Sequence, residues 1–249
     1  MLRFELQLYV MKQILLLGLC VIMVACGGTT KEKKYENTSS KTEIYQIDNQ
    51  VLSSDTYEAK ILYTPFRFAD DGLVERLEAM VDAEKQLFLG SDGLKQVEKD
   101  PSLRKWKLDI EVKPVYQSEQ FSSFLISVYI DSGGNHGNGH YQVLNYDHRF
   151  SDSIEFTEIF DDKQVLDMIS ERTIISLKKE LNDHKWLEKG AEPDMLNFQF
   201  WIYTPVGMLI HFPPYQVGPY VVGSKSVMIE KDYLVPYLSR LGKRMWGGK

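Results

Sequence analysis

An alternation of apolar and charged residues in the middle of the chain constrains the fold more than any other sequence feature. Between residues 106 and 116 the apolar residues Trp106, Leu108, Ile110 and Val112 alternate with Lys107, Asp109, Glu111 and Lys113. A period of two places alternate side chains on opposite faces, which predicts a β-strand with one buried face. Phe121 to Ile130 and His140 to Tyr146 are predicted as two more strands of an antiparallel meander, separated by the glycine-rich segment Ser132 to Gly139.

A helical period predicts a long amphipathic helix that starts after Asp70 and ends at Gly90. Its predicted buried face carries Leu73, Leu77, Met80, Val81, Leu87 and Phe88. Its other face carries Glu75, Arg76, Glu78, Asp82 and Lys85, which we interpret as solvated surface. Aspartate is favoured at the positive start of a helix and glycine at its end, so both boundaries are marked.

The remaining segments complete a prediction of an α+β fold, an antiparallel sheet flanked by a few helices. A hairpin is predicted from Ile44 to Leu52 and Tyr57 to Phe66, and a second amphipathic helix from Val165 to Leu181. Later elements are predicted as strands at Asn197 to Tyr203, Met208 to Phe212 and Val227 to Glu230, and as a helical stretch at Tyr233 to Leu241. Strands interleaved with helices, without a regular βαβ repeat, favour this class.

Composition and charge limit the classes of partner. The 249 residues are 43% hydrophobic and 26% charged, as in an ordinary globular protein. The formal net charge of −6 removes the overall attraction to a phosphate backbone, so nucleic acid is not expected as a partner. The two cysteines, Cys20 and Cys26, both lie near the N-terminus, so the rest of the chain must be stabilised by packing and not by a disulfide.

The N-terminal region is predicted to be a signal peptide. The apolar run from Ile14 to Ala25 follows Lys12 and is shorter than the about 20 helical residues that cross a bilayer. Arg3 and Glu5 precede Met11, and we therefore expect translation to begin at Met11.

Met23, Val24, Ala25 and Cys26 resemble the lipobox of a bacterial lipoprotein precursor. The resemblance implies that residues 1–25 are removed, that Cys26 carries the lipid, and that residues 26–42 form a flexible tether to a membrane. It also implies a location in the cell envelope, with the folded part outside the cytoplasm. The alternative is that Cys26 is an ordinary buried cysteine in a hydrophobic helix.

Several motifs of the second half occur in the order found in one domain family. They are Asn145 to Phe150, Phe156 to Phe160, Phe198 to Trp201, Gly207 to Phe212, Pro214, Tyr215, Gly218 to Tyr220 and Gly223. Together they resemble the RsiV-like domain of unknown function 3298, with residues 119–249 as that domain. The resemblance implies that residues 43–118 form the smaller α/β segment that often precedes it. Members of this family occur on anti-sigma factors that sense lysozyme, beside peptidoglycan deacetylase domains, and in lipoproteins.

Four residues are the candidate ligand-binding residues. His136 and His140 lie in or beside the glycine-rich segment, and could share a metal with Asp131. Histidine side chains that are hydrogen-bonded within the protein or face solvent are more common than metal ligands. Tyr215 and Tyr220 lie in a proline-rich loop that could stack on a sugar or peptide, or pack over an open end of the sheet. No metal, cofactor or catalytic residue is assigned.

The sequence favours a binding protein over an enzyme. It contains no nucleophile elbow, no phosphate-binding glycine loop and no His-Glu-x-x-His motif. The primary prediction is a non-catalytic binding or sensing module of the cell envelope, with a cell-wall fragment such as peptidoglycan or a lysozyme-like protein as partner. One alternative is a cell-wall hydrolase or deacetylase-like enzyme that uses a metal at His136 and His140. A further alternative is a purely structural envelope protein.

Overall fold

A computed structural model describes residues 43–99, 104–181 and 184–247, all within one compact unit that spans residues 39–249. The predicted signal peptide at residues 1–25, the tether at residues 26–42 and the lipid-bearing Cys26 lie outside the described residues. Within these described ranges, no helix combines the length and the apolar character needed to span a bilayer.

The first of two sheets has six strands in the order β1-β2-β3-β4-β5-β6. Its strands are β1 (Gln50–Ser53), β2 (Tyr57–Tyr63), β3 (Trp106–Gln117), β4 (Phe121–Asp131), β5 (Asn138–Asp147) and β6 (Asp152–Ser153). The predicted hairpin and meander both form antiparallel pairs, although the first strand of the hairpin begins at Gln50 and not at Ile44. β2 and β3 are instead parallel, because the chain crosses over between them through α1 (Asp71–Leu89) and α2 (Asp92–Lys99). The sheet takes strands from both sides of residue 118.

The second sheet has three antiparallel strands, β7 (Trp201–Thr204), β8 (Gly207–Phe212) and β9 (Lys225–Glu230), in that order. The helices of this half are α3 (Phe156–Ile159), α4 (Val165–Leu177), α5 (His184–Gly190), α6 (Lys231–Leu234) and α7 (Arg240–Trp246). About a third of the described residues are helical and about a third are in strands, which confirms the predicted α+β class.

Helix α1 confirms the predicted helix. The Asp70 carboxylate accepts the Leu73 amide N–H at 2.9 Å, and the Gly90 N–H donates to the Gln86 carbonyl at 2.9 Å. The helix buries Leu73, Leu77, Val81 and Phe88, together with Glu84. The sequence prediction was wrong for Leu87, which is 67% exposed. Glu84, in contrast, turns a carboxylate toward the buried side of the helix.

The alternation of β3 is confirmed by its burial. Leu108, Ile110 and Val112 are buried in the core beneath α1, while Lys107 and Asp109 are exposed. Each fully buried aliphatic side chain of this kind contributes about 1.5–3 kcal/mol. A second core, between the second sheet and helices α4 and α7, buries Ile169, Ile210 and other apolar residues.

Several predicted elements of the second half were wrong in their bounds. The predicted helix from Val165 to Leu181 ends at Leu177. The predicted strand at Asn197 to Tyr203 begins only at Trp201, because the Asp194 carboxylate accepts the Leu196 N–H at 2.9 Å and starts a 3-10 turn at Met195–Phe198. The predicted final helix is interrupted by a 3-10 turn at Val235–Tyr237, where Pro236 offers no backbone N–H.

The motif residue Asn145 joins the two sheets. Its side-chain oxygen accepts the Ser123 hydroxyl at 2.9 Å and the Tyr203 N–H at 2.8 Å, and its side-chain nitrogen donates to the Trp201 carbonyl at 2.9 Å. The Trp201 carbonyl and the Tyr203 N–H lie on the edge of β7 that does not pair with β8, because β8 forms its hydrogen bonds with the alternate residues of β7. Asn145 therefore satisfies a buried strand edge and fixes β7 against β4 and β5.

Candidate functional site

Three of the four predicted ligand-binding residues come together in an exposed aromatic cluster. The His136 ring stacks on Tyr220 with ring centroids 4.5 Å apart, and the Tyr220 ring lies 5.4 Å from Tyr215. Tyr215 is 49% exposed and Tyr220 is 39% exposed. We call His136, Tyr215 and Tyr220 the aromatic patch. It presents neighbouring ring faces from two distant segments of the chain.

The β4–β5 loop places His136 in the patch. Gly133 adopts φ +82°, in the left-handed region that glycine favours, and its N–H donates to Asp131 at 3.0 Å. Gly137 lies against the Tyr129 ring, where an added Cβ would be only 2.3 Å from a ring carbon. These two glycines allow the tight loop whose tip carries His136.

The second loop holds Tyr215 in a strained but well-supported conformation. Tyr215 has φ +71°, which costs a residue with a Cβ about 1–2 kcal/mol. The Trp186 indole N–H donates to the Tyr215 carbonyl at 3.0 Å. The Gln216 amide donates to the Gly190 carbonyl at 3.0 Å and the Asn197 carbonyl at 2.8 Å. Strain of this kind persists where the surroundings fix it, so Tyr215 is preorganised at the surface.

Tyr141 was missed by the sequence analysis, although its hydroxyl contacts the segment that follows Tyr220. Its hydroxyl donates to the Ser224 hydroxyl at 2.7 Å, and its ring lies 5.8 Å from His211 and 6.2 Å from Phe200. Burial lowers the pKa of His211. Tyr141 adjoins His140 on β5, and strand alternation alone predicts that the two side chains face opposite ways.

His140 is not part of the aromatic patch. Its ring nitrogen Nε2 lies 2.9 Å from the Glu84 carboxylate, which also accepts the Gln142 amide. Burial alone would raise the pKa of Glu84, but the hydrogen bonds from His140 and Gln142 and the charge interaction with His140 lower it. His140 thus faces α1 and pairs with a buried carboxylate that the sequence analysis did not single out.

The three residues considered for a metal have separate partners. Asp131 forms an ion pair with Arg104 at 2.5 Å, His140 pairs with Glu84, and His136 stacks on Tyr220. In the part of the chain that the structure describes, no three histidine, cysteine or acidic residues are grouped as metal ligands would be.

A partly buried set of hydrogen-bonded side chains near the start of α1 has the order of a Ser-His-Asp triad. Ser122 Oγ lies 2.8 Å from His148 Nε2, and His148 Nδ1 lies 2.7 Å from the Asp70 carboxylate. Tyr146 donates to the same carboxylate at 2.7 Å. Ser122 is fully buried, so its hydroxyl is closed to a substrate in this arrangement. These hydrogen-bonded side chains join β4, β5 and the cap of α1.

The protonation states of Asp70 and Tyr146 follow from their hydrogen bonds. Burial alone would raise the pKa of Asp70, but the hydrogen bonds from His148, Tyr146 and the Leu73 N–H lower it below its ordinary value. Burial, together with the hydrogen bond to Asp70, raises the pKa of Tyr146 to about 12. Asp70 is therefore held as a carboxylate and Tyr146 as a neutral donor at neutral pH.

One curated relative carries a name that concerns the cell wall. Over 202 residues, the chain is 26% identical to the peptidoglycan-N-acetylmuramic acid deacetylase PdaC of Bacillus subtilis strain 168. That match covers 79% of this chain but 42% of the relative, so the chain spans about two fifths of the relative's length.

Two solved structures share the fold of this chain, and a family model matches part of it. A DUF3298 family member from Bacteroides fragilis NCTC 9343 shares 16% identity at a TM-score of 0.55, covering 82% of this chain and 94% of that one. A DUF3298 family protein from Pseudomonas aeruginosa PAO1 shares 13% identity at a TM-score of 0.56, covering 84% and 99%. Residues 157–232 match the family described as "Protein of unknown function (DUF3298)", within the span for which the sequence predicted it. The matched residues are about three tenths of the chain, so this segment is similar to the DUF3298 family, and the two solved structures show that the fold is shared.

Proposed function

We propose that the protein is a non-catalytic binding module of the cell envelope whose aromatic patch binds a glycan fragment of the cell wall. The observation that carries this proposal is the stack of His136 on Tyr220 beside Tyr215, with both tyrosines open to solvent. The name of the Bacillus subtilis relative supports a peptidoglycan ligand.

The chemistry of the patch fits a sugar. Sugar rings carry flat C–H faces that pack on aromatic rings, and hydroxyl groups that bond to polar atoms at the ring edge. Tyrosine offers both an apolar face and a hydroxyl, and it loses little rotamer freedom on binding. Because the backbone of Tyr215 is already fixed by Trp186 and Gln216, the loop has little ordering cost left when a ligand binds.

The binding test compares the full chain with single variants on purified peptidoglycan and on soluble disaccharide fragments. Tyr215→Ala and Tyr220→Ala should each weaken binding about 10-fold or more, as for exposed aromatic residues at the centre of an interface. Tyr233→Ala is the matched control, since this exposed tyrosine packs with Arg172 and not with the patch. Equal binding by all four proteins would refute the aromatic patch as the ligand site.

The location in the envelope is part of the same proposal. Lipidation at Cys26, after removal of residues 1–25, anchors the protein to a membrane, and residues 26–42 act as the tether. Mass spectrometry of the mature N-terminus tests this: the wild type should carry acyl chains on Cys26, and Cys26→Ala should not. Cys20→Ala is the control and should leave the modification unchanged, since Cys20 lies in the segment that is removed.

A deacetylase-like enzyme is the second candidate, and the name of the Bacillus subtilis relative favours it. Acetate release from N-acetylated peptidoglycan, measured with and without added Zn²⁺, tests this candidate. Release that is lost in the His136→Ala, His140→Ala double variant would favour the enzyme. Absence of release from a preparation that still binds peptidoglycan would favour the binding module.

A further inference from the structure

A cleft lined by three arginines lies at the end of β5 opposite to the β4–β5 loop. Its volume is about 730 Å³, and its walls come from the β5–β6 turn, α3 and α7. We call Arg149, Arg240, Arg244 and Phe150 the arginine cleft. The 10-residue strand β5 separates it from the loop of His136 by about 30 Å. A small ligand cannot reach both, so the cleft is independent of the proposed glycan site.

Arg244 forms the rigid wall of the cleft. Its guanidinium makes an ion pair with Asp147 and lies 5.3 Å from the ring centroid of Phe121 and 5.2 Å from that of Phe150. The other oxygen of Asp147 accepts the Arg149 N–H at 3.0 Å. The charge of Arg244 is therefore largely matched by Asp147, and the same aspartate fixes the backbone that carries Arg149.

The other acidic side chains at the cleft are also engaged. Asp152 forms an ion pair with Arg76 from α1, and the Glu158 carboxylate accepts the Glu155 N–H at 2.7 Å. Arg149 and Arg240 are both exposed, and neither has an ion-pair partner within the described ranges. Two unmatched guanidinium groups thus line a concave surface of a protein whose overall charge is negative.

We propose that the arginine cleft binds the free carboxylate of a short peptide. A guanidinium presents two parallel N–H donors that match a carboxylate. Phe150 is 65% exposed and Leu241 also lines the cleft, so an apolar group next to the carboxylate has a surface to pack on. A polyanion fits less well, because the Glu158 carboxylate in the same cleft accepts a neutral N–H and keeps its charge, and because the net charge of the chain is −6.

The test is calorimetric titration of the full chain with N-acetyl-trialanine that ends in a free carboxylate, beside the same peptide with a C-terminal amide. The free acid should bind saturably, and the amide should bind at least about 10-fold more weakly. Arg149→Ala and Arg240→Ala should each weaken binding of the acid about 10- to 100-fold. Arg67→Ala, which removes an exposed arginine elsewhere, is the matched control and should bind as the wild type.

Three results would overturn the proposal. They are equal affinity for the acid and the amide, unchanged affinity in both arginine variants, and displacement of the peptide by inorganic phosphate at lower concentration than by the acid itself. The last result would assign the cleft to phosphate. Circular dichroism of each variant checks that it is folded, and both arginines are exposed, so their removal should leave the core intact. Peptidoglycan binding by the Arg149→Ala variant separates a failure of this proposal from a failure of the glycan site.

Discussion

Replacement of Asn145 by alanine should destabilise the protein strongly, because it removes the side chain that joins the two sheets. The substitution leaves the Tyr203 N–H and the Trp201 carbonyl without their partner on the buried edge of β7. Each buried backbone group left unsatisfied costs about 1–3 kcal/mol, so the free energy of unfolding should fall by about 2–6 kcal/mol. That loss is a large part of the about 5–15 kcal/mol that stabilises a typical domain.

Urea denaturation followed by circular dichroism and tryptophan fluorescence measures this loss. With a slope of about 2–3 kcal/mol per molar urea for a chain of this size, the midpoint should fall by at least about 0.7 M. Asn138→Ala, at the exposed opposite end of β5, is the matched control and should change the free energy of unfolding by less than about 0.5 kcal/mol.

A double-variant cycle tests the assignment to Asn145 itself. Ser123→Ala removes the hydroxyl that donates to the same side-chain oxygen, so its effect should be smaller in the Asn145→Ala background than in the wild type. A loss below about 1 kcal/mol for Asn145→Ala, or strictly additive effects, would refute the reasoning that this side chain joins the sheets.

Three further predictions concern the polar core and the loops. The folded-state pKa of Glu84 is lowered, so its contribution is present above the unfolded pKa and is lost as pH falls through the folded value. Glu84→Gln should therefore be less stable at pH 7 and lose less stability than the wild type as pH falls from about 5 to about 3, whereas Glu75→Gln, at an exposed site, should follow the wild type in urea titrations. Gly190→Ala should displace the tyrosine loop and weaken peptidoglycan binding, because an added Cβ would be 2.0 Å from the Gln216 carbonyl oxygen; Gly134→Ala, whose nearest contact would be 3.9 Å, should bind normally. Ser122→Ala should lower the free energy of unfolding by about 1 kcal/mol and leave ligand binding unchanged, and a loss of binding greater than about 10-fold would assign it a role beyond structure.

Local sequence patterns predicted most of the helices and strands. The alternation of Trp106 to Lys113 specified β3 because a strand exposes alternate residues, and Asp70 and Gly90 marked both ends of α1. The wrong predictions lie at residues where tertiary packing or a proline overrides the local sequence pattern. Leu87 has the apolar character of a core residue but faces solvent, and Pro236 breaks a helix whose apolar spacing suggested continuity.

The candidate site was predicted in its residues but not in its arrangement. His136, Tyr215 and Tyr220 were singled out from a glycine-rich and a proline-rich loop, yet no local pattern says that these loops touch. His140 was singled out for the same reason as His136, and the structure turns it toward Glu84. The sequence marks Glu84 only as a polar residue on the apolar face of a helix. It marks Tyr141 only as one position of an alternating strand.

The sequence by itself determined the α+β class, the main elements, and the residues rich in binding chemistry, because these follow from periodicity and residue type over short stretches. Only the tertiary structure decided which of those residues meet. The parallel pairing of β2 with β3, the stack of His136 on Tyr220 and the arginines at the end of β5 each join segments far apart in the chain. Such contacts depend on how whole elements pack, and a pattern confined to neighbouring residues does not contain that information.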